Sequence, residues 1–185
     1  MPVVTGAETE KRLAAEAAAE LVEDGMTVGL GTGSTVAFLL PALAARGLHG
    51  IRCVATSVAT EEQARSLGIP VEQFDHLERL DVAIDGTDEV DPRGWLIKGG
   101  GAAHLREKIV AAAAERFIVI ADSSKPVEAL RGPVPLELFS FGVASTRGSG
   151  YDLRQMLIHA DSALYSAKRR GRNRVEAFVG TVLPA

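Results

Sequence analysis

The 185-residue sequence has a single cysteine, Cys53, which leaves no partner for an internal disulfide. Its place in the strand-like run Ile51 to Ala55 reads as a buried position rather than a nucleophile. Apolar runs of membrane-spanning length are missing, and Met1 to Arg12 is too polar and acidic for a secretory leader. An excess of one charge is missing too. The 20 Lys and Arg stand against 24 Asp and Glu, a net charge of −4, which gives no footprint for nucleic acid. These absences point to a cytoplasmic protein with neither nucleic acid nor membrane as a partner. With 46% hydrophobic and 24% charged residues, the chain is long enough to bury a core.

Short apolar runs alternate with alanine-rich helical patterns. Helices are expected over Glu10 to Leu21, Ser34 to Ala45, Ser57 to Leu67 and Ala102 to Ala114. Strands are expected at Thr27 to Leu30, Ile51 to Thr56, Leu80 to Ile84 and Arg116 to Ala121. That order predicts an α/β fold, a Rossmann-like parallel sheet with helices on both faces. Ligands then bind beyond the carboxyl ends of the strands, where four informative loops are expected.

The first loop is Gly29-Leu30-Gly31-Thr32-Gly33-Ser34-Thr35. A dinucleotide fingerprint needs Gly or Ala where Val36 stands and an acid where Thr56 and Ser57 end the next strand, and the Gly-Lys-Ser/Thr of a P-loop is absent. Amides and hydroxyls at a helix start still suit a small phosphate, the alternative being a plain tight turn. The second loop is Asp85-Gly86-Thr87-Asp88-Glu89-Val90-Asp91. A dehalogenase-type nucleophile would occupy the place of Ala83, and the glycine and glutamate of an EF-hand are out of position. Asp85 and Asp88 are therefore a proton-shuttling pair or an Asp-rich solvated turn.

The third loop, Lys98-Gly99-Gly100-Gly101-Ala102-Ala103 with Arg106-Glu107-Lys108, sets a cation, three glycines and a carboxylate around one helix start. Glycine amides and a lysine can hold an oxyanion while a carboxylate removes a proton beside a carbonyl. A Gly-rich turn before a solvated helix is the plainer alternative. With the helix beginning near Ala102, Glu107 is expected more than one turn inside it. The fourth loop is Ala121-Asp122-Ser123-Ser124-Lys125, whose lysine can reach a phosphate.

Together, in this order, the four loops resemble type A ribose-5-phosphate isomerase. The resemblance covers roughly Glu10 to Arg147 and includes Pro133-Val134-Pro135-Leu136-Glu137-Leu138. It implies interconversion of ribose 5-phosphate and ribulose 5-phosphate through an enediolate, with neither metal nor cofactor. By motif position Glu107 is the base, Lys98 with Gly99 and Gly100 holds the oxyanion, and Asp85 assists ring opening. Asp88 binds sugar hydroxyls or orients its neighbours. Gly33, Ser34 and Thr35 hold the phosphate with Lys125 and Lys11. Separately from the resemblance, a second copy of the chain is an expected further partner.

After Arg147 the sequence departs from that family. The pattern Ala160-Asp161-Ser162-Ala163-Leu164-Tyr165-Ser166-Ala167-Lys168, followed by Gly171-Arg172-Asn173-Arg174, looks like the C-terminal end of a GGDEF diguanylate cyclase domain over about residues 151–178. The Gly-Gly-Asp/Glu-Glu-Phe signature itself is absent, so nucleotide cyclisation is not expected. The expected organisation is an isomerase-like domain over 1–147 with an incomplete second domain, then a GGDEF-like fragment over 148–185. Physically the tail is an amphipathic helix with Leu153, Met156, Leu157, Ala160, Leu164 and Ala167 on one face. A strand-like Val175 to Val179 follows. In its own family such a helix packs on a sheet that this sequence does not supply. The other outcome is an inactive chimera that at most binds phosphorylated sugars.

Overall fold

An alanine-rich stretch forms α1 (Gly6–Ala19), with Ala15, Ala18 and Ala19 on its buried face. It starts earlier than its apolar pattern suggests. Arg46 donates to the carbonyls of Ala19, at the end of α1, and of Val22, just beyond it, and so ties the end of α2 (Val36–Ala45) to that turn. Then follow β1 (Thr27–Leu30), α2 (Val36–Ala45), β2 (Arg52–Ala55) and α3 (Val58–Ser66). Pro41 inside α2 has no N–H for the carbonyl of Ala37, and Gln63 Nε2 donates to that carbonyl instead, at 3.4 Å. Ser57 caps α3 by accepting the N–H of Thr60 at 3.2 Å.

The chain continues with β3 (Leu80–Gly86), a short hairpin of β4 (Glu89–Val90) and β5 (Leu96–Ile97), then α4 (His104–Ala113) and β6 (Ala114–Ile120). The computed structural model describes residues 6–73, 79–136, 140–143, 159, 162–163, 165–166, 169–170 and 174–177. Strands β2, β1, β3 and β6 form one parallel sheet in that order. Val28, Leu30, Val82 and Ile84 pack with Leu39, Leu40 and Leu43 of α2 and the alanines of α1. Ala83 and Val54 pack instead with Val110 of α4. Helices therefore cover both faces, as the sequence pattern implies. The hairpin was not legible there, and the third loop follows β5, not a strand of the main sheet.

The chain divides into two compact units, Met1–Leu136 and Glu137–Ala185. In the second, β7 (Ser140–Val143) pairs in parallel with β8 (Arg174–Ala177). Parallel neighbours need a crossover, and the helical residues described between them include Ser162, Ala163, Tyr165 and Ser166. Ala163 is buried and Tyr165 is exposed. This pairing places Ser140–Val143 in the second unit, ahead of the motif boundary at 147, and gives the tail a small sheet of its own. Leu153, Met156, Leu157, Ala160, Leu164 and Ala167 lie outside the described side chains.

Candidate active site

Side chains alternate along β3. Val82 and Ile84 join the cluster with α1 and α2, whereas Ala83 faces Val110 of α4. The same period of two turns Asp85 toward α4 and Glu107. Asp85 is 3% exposed. Its Oδ1 accepts the N–H groups of Thr32 at 3.1 Å and Gly86 at 2.7 Å, while Oδ2 lies 2.9 Å from Lys98 Nζ. Lys98 also donates to the carbonyl of Gly86. A side chain on Gly31 would bring its Cβ within 2.6 Å of Asp85 Cβ, so the strand-end backbone approaches this carboxylate as only glycine permits.

The glycine loop is shaped from both sides. Gly99 has φ +110° and lies against the His104 ring. Gly100 donates its N–H to Asp88 Oδ2 at 2.9 Å, so this amide is engaged by Asp88 rather than directed only at a ligand. Ala102 has φ 58°, a conformation incompatible with a helix start. α4 consequently begins at His104, which puts Glu107 in its first turn rather than deeper inside. A carboxylate there is favoured by the helix dipole. Burial opposes it more strongly: Glu107 is 5% exposed, and desolvation, then the charge of Asp85, raise its pKa above the ordinary carboxyl value against the pull of Lys98 and His104.

Glu107, Lys98, Gly99 and Gly100 line a cleft of about 240 Å³ together with Gly33, Ser34, Thr35, Asp88 and Lys125. Thr35 is the N-cap position of α2 and Gly33 has φ +126°. Lys11 Nζ donates to Ser34 Oγ at 3.0 Å and lies 3.9 Å from Asp122 Oδ2. Lys11 thus reaches the cleft through Ser34. Asp122 accepts the hydroxyl of Ser124 and, more weakly, its N–H, which hold the carboxyl below the usual range. Asp85 does not line the cleft and meets it through Lys98.

Thr32, Gly86, Thr87 and Gly101 also line the cleft. Their signal in the sequence was adjacency to the motif residues. Thr60, which donates to the carbonyl of Gly31 at 2.9 Å, carried none. Among the described residues no group of three His, Cys, Asp or Glu side chains is placed to hold a metal ion.

These loops and their order have counterparts in known proteins. Residues 52–158 match the family model of ribose 5-phosphate isomerase A (phosphoriboisomerase A). The match passes Arg147 as far as Ile158, beyond the limit drawn from motifs alone. A ribose-5-phosphate isomerase A of Caulobacter vibrioides is 53% identical over 156 residues, covering 84% of this chain and 67% of the relative. A D-ribose-5-phosphate isomerase solved in complex with phospho-erythronic acid superposes with a TM-score of 0.66 at 42% identity, over 68% of this chain and 57% of that one. The isomerase of Neisseria gonorrhoeae gives a TM-score of 0.66 at 46% identity, over 69% and 56%. The chain thus spans little more than half of each solved relative. The parallel sheet, the four loops at one end of it and a family model matching more than half of the sequence converge, and the chain belongs to the ribose 5-phosphate isomerase A family.

Proposed function

We propose that this chain interconverts ribose 5-phosphate and ribulose 5-phosphate, the aldose–ketose isomerisation of the pentose phosphate pathway. The observation that carries the proposal is Glu107, a buried carboxylate of raised pKa lining the same cleft as Lys98. A base needs a proton affinity matched to its task, and burial supplies it here. Gly33, Ser34, Thr35, Lys125 and Lys11 hold the phosphate dianion, and Asp88 orients Gly100 and meets the sugar hydroxyls. The solved relative that carries phospho-erythronic acid is consistent with an occupant bearing phosphate at one end and carboxylate oxygens at the other.

Ring opening places a proton on the ring oxygen and removes one from the anomeric hydroxyl. Lys98, which lines the cleft, gives a proton to the ring oxygen and takes one back from the anomeric hydroxyl, and Asp85, paired with it at 2.9 Å, holds the ammonium in place and so assists ring opening. Glu107 then removes the C2 proton, the bonding electrons form the C1–C2 double bond, and O1 becomes the oxyanion, stabilised by Lys98 and the loop at Gly99 and Gly100. Glu107 returns the proton to C1 while the O2 proton passes to O1, which leaves the ketose. All of these steps use side chains and amides of the chain itself.

The test is ketose formation from ribose 5-phosphate, followed together with exchange of the C2 proton in deuterated solvent. Both should occur. Binding without either would favour the second reading, an inactive chimera, for which the observation is the 56–57% coverage of the solved relatives. The GGDEF-like pattern over 151–178, the domain limits 1–147 and 148–185, a cytoplasmic location and self-association belong to the same proposal. No nucleic acid or membrane partner is assigned. Among the described residues no helix is long and apolar enough to cross a membrane.

A further inference from the structure

Glu89 closes the Asp85-to-Glu89 motif, yet it does not line the cleft and no step above uses it. It lies on β4, whose backbone carries the segment bearing Lys125. Val90 donates its N–H to the carbonyl of Lys125 at 3.0 Å, and Val127 donates to the carbonyl of Val90 at 2.9 Å. Val90 and Pro126 therefore form a parallel bridge. On its other side the Lys125 N–H donates to the carbonyl of Asp122 at 3.1 Å. Farther along, Glu89 Oε2 accepts the N–H groups of Arg131 at 2.9 Å and Gly132 at 3.1 Å. A Cβ on Gly132 would come within 2.9 Å of Glu89 Oε1, so the segment fits closely over the carboxylate. The N–H of Arg131, then that of Gly132, hold the Glu89 carboxyl below its ordinary pKa.

We propose that Glu89 is a positioning residue for phosphate recognition: its carboxylate pins residues 131–132 onto the hairpin and so fixes the backbone from which Lys125 reaches the dianion. The role rests on the reading of this cleft as a phosphate site. A lysine is a long, rotatable point charge, and its contribution to affinity depends on how little ordering remains to be done when the ligand arrives. The hairpin thereby has a use in the site although it contributes no strand to the main sheet.

The experiment titrates the purified chain with inorganic phosphate by calorimetry and measures kcat and KM for ribose 5-phosphate. Glu89→Ala should weaken phosphate binding and raise KM by about tenfold, while kcat stays within about twofold. Glu89→Gln, whose amide oxygen accepts the same N–H groups, should retain most of the affinity. In a Lys125→Ala background Glu89→Ala should cost little more, because the two act as one unit. Gly132→Ala, which presses on the carboxylate without removing it, should weaken phosphate in the same direction and serves if Glu89→Ala does not fold. Equal phosphate affinity in wild type, Glu89→Ala and Gly132→Ala overturns the proposal, as does a full, additive loss in the Lys125→Ala background. A wild-type chain that binds no phosphate overturns the phosphate site itself and the Glu89 role with it.

Discussion

Lys98 Nζ lies 2.9 Å from Asp85 Oδ2, and the two side chains differ sharply in exposure, 20% for the lysine and 4% for the aspartate. The carboxylate is the buried partner and the ammonium is its outlet to the cleft. Removing Lys98 leaves a buried acceptor short of a donor, at a cost of about 1–3 kcal/mol. Lys98→Ala should therefore melt lower and turn over more slowly. Adding Asp85→Asn should recover part of the melting temperature and none of the rate. A double variant that melts as low as Lys98→Ala alone would mean the pair contributes no coupling.

Phosphate recognition is tested by comparing two ligands. A dianion facing the start of α2 and the Lys125 ammonium gains charge-assisted hydrogen bonds of about 1.5–3 kcal/mol each. Thr35→Val combined with Lys125→Ala should weaken binding of ribose 5-phosphate far more than of free ribose in calorimetry. Equal losses would place the phosphate elsewhere.

The parallel sheet was legible in the sequence because its strands are short apolar runs separated by alanine-rich helices, and Thr27–Leu30 falls where the pattern puts it. Two local features were not. The alanine run ending at Ala114 reads as helix, but β6 begins at Ala114 because its pairing opposite Leu80 outweighs alanine's helix preference. The two-residue strands of the hairpin have no periodicity to detect; its turn is made by Asp91 Oδ1, which accepts the N–H groups of Arg93 and Trp95, both at 2.9 Å. Within the site, Glu107, Lys98 and Lys125 were legible as chemistry, and Lys11 joined them through Ser34. That Asp85 would be buried behind Lys98 was not, since exposure depends on the approach of Gly31 and Thr32 from a loop 53 residues distant.

Gly31 supplies a steric test of that packing. A methyl group there meets the Asp85 side chain, and overpacking at a closed site costs about 1–3 kcal/mol. Gly31→Ala should lower the melting temperature and also turnover, because displacing Asp85 unseats Lys98. Gly47→Ala is the control, a position with φ +59° and open space around the added atom. It should lose stability through backbone strain alone and keep its rate. Loss of rate in both, or in neither, would contradict a specific fit of Gly31 to Asp85.

Glu107→Gln separates catalysis from stability. Gln is nearly isosteric and cannot take the C2 proton, so turnover and solvent exchange at C2 should fall together by about 10²–10⁴-fold, with sugar-phosphate binding kept. In the wild type the acid limb of the kcat profile should lie above the ordinary carboxyl value of 4.5, because burial and Asp85 raise the pKa of Glu107. A group that holds its proton more tightly folded than unfolded contributes stability below its unfolded pKa, and that contribution is lost as pH rises through the folded value. Above that value the wild type carries a buried charge that Gln does not. Wild type and Glu107→Gln should therefore melt alike well below pH 4.5, and the variant should become relatively more stable as pH rises to neutrality. Thermal melts across that range, read beside the exchange rates, check both halves. If the variant is destabilised at neutral pH while still exchanging C2 at the wild-type rate, Glu107 is a structural carboxylate and the base lies elsewhere.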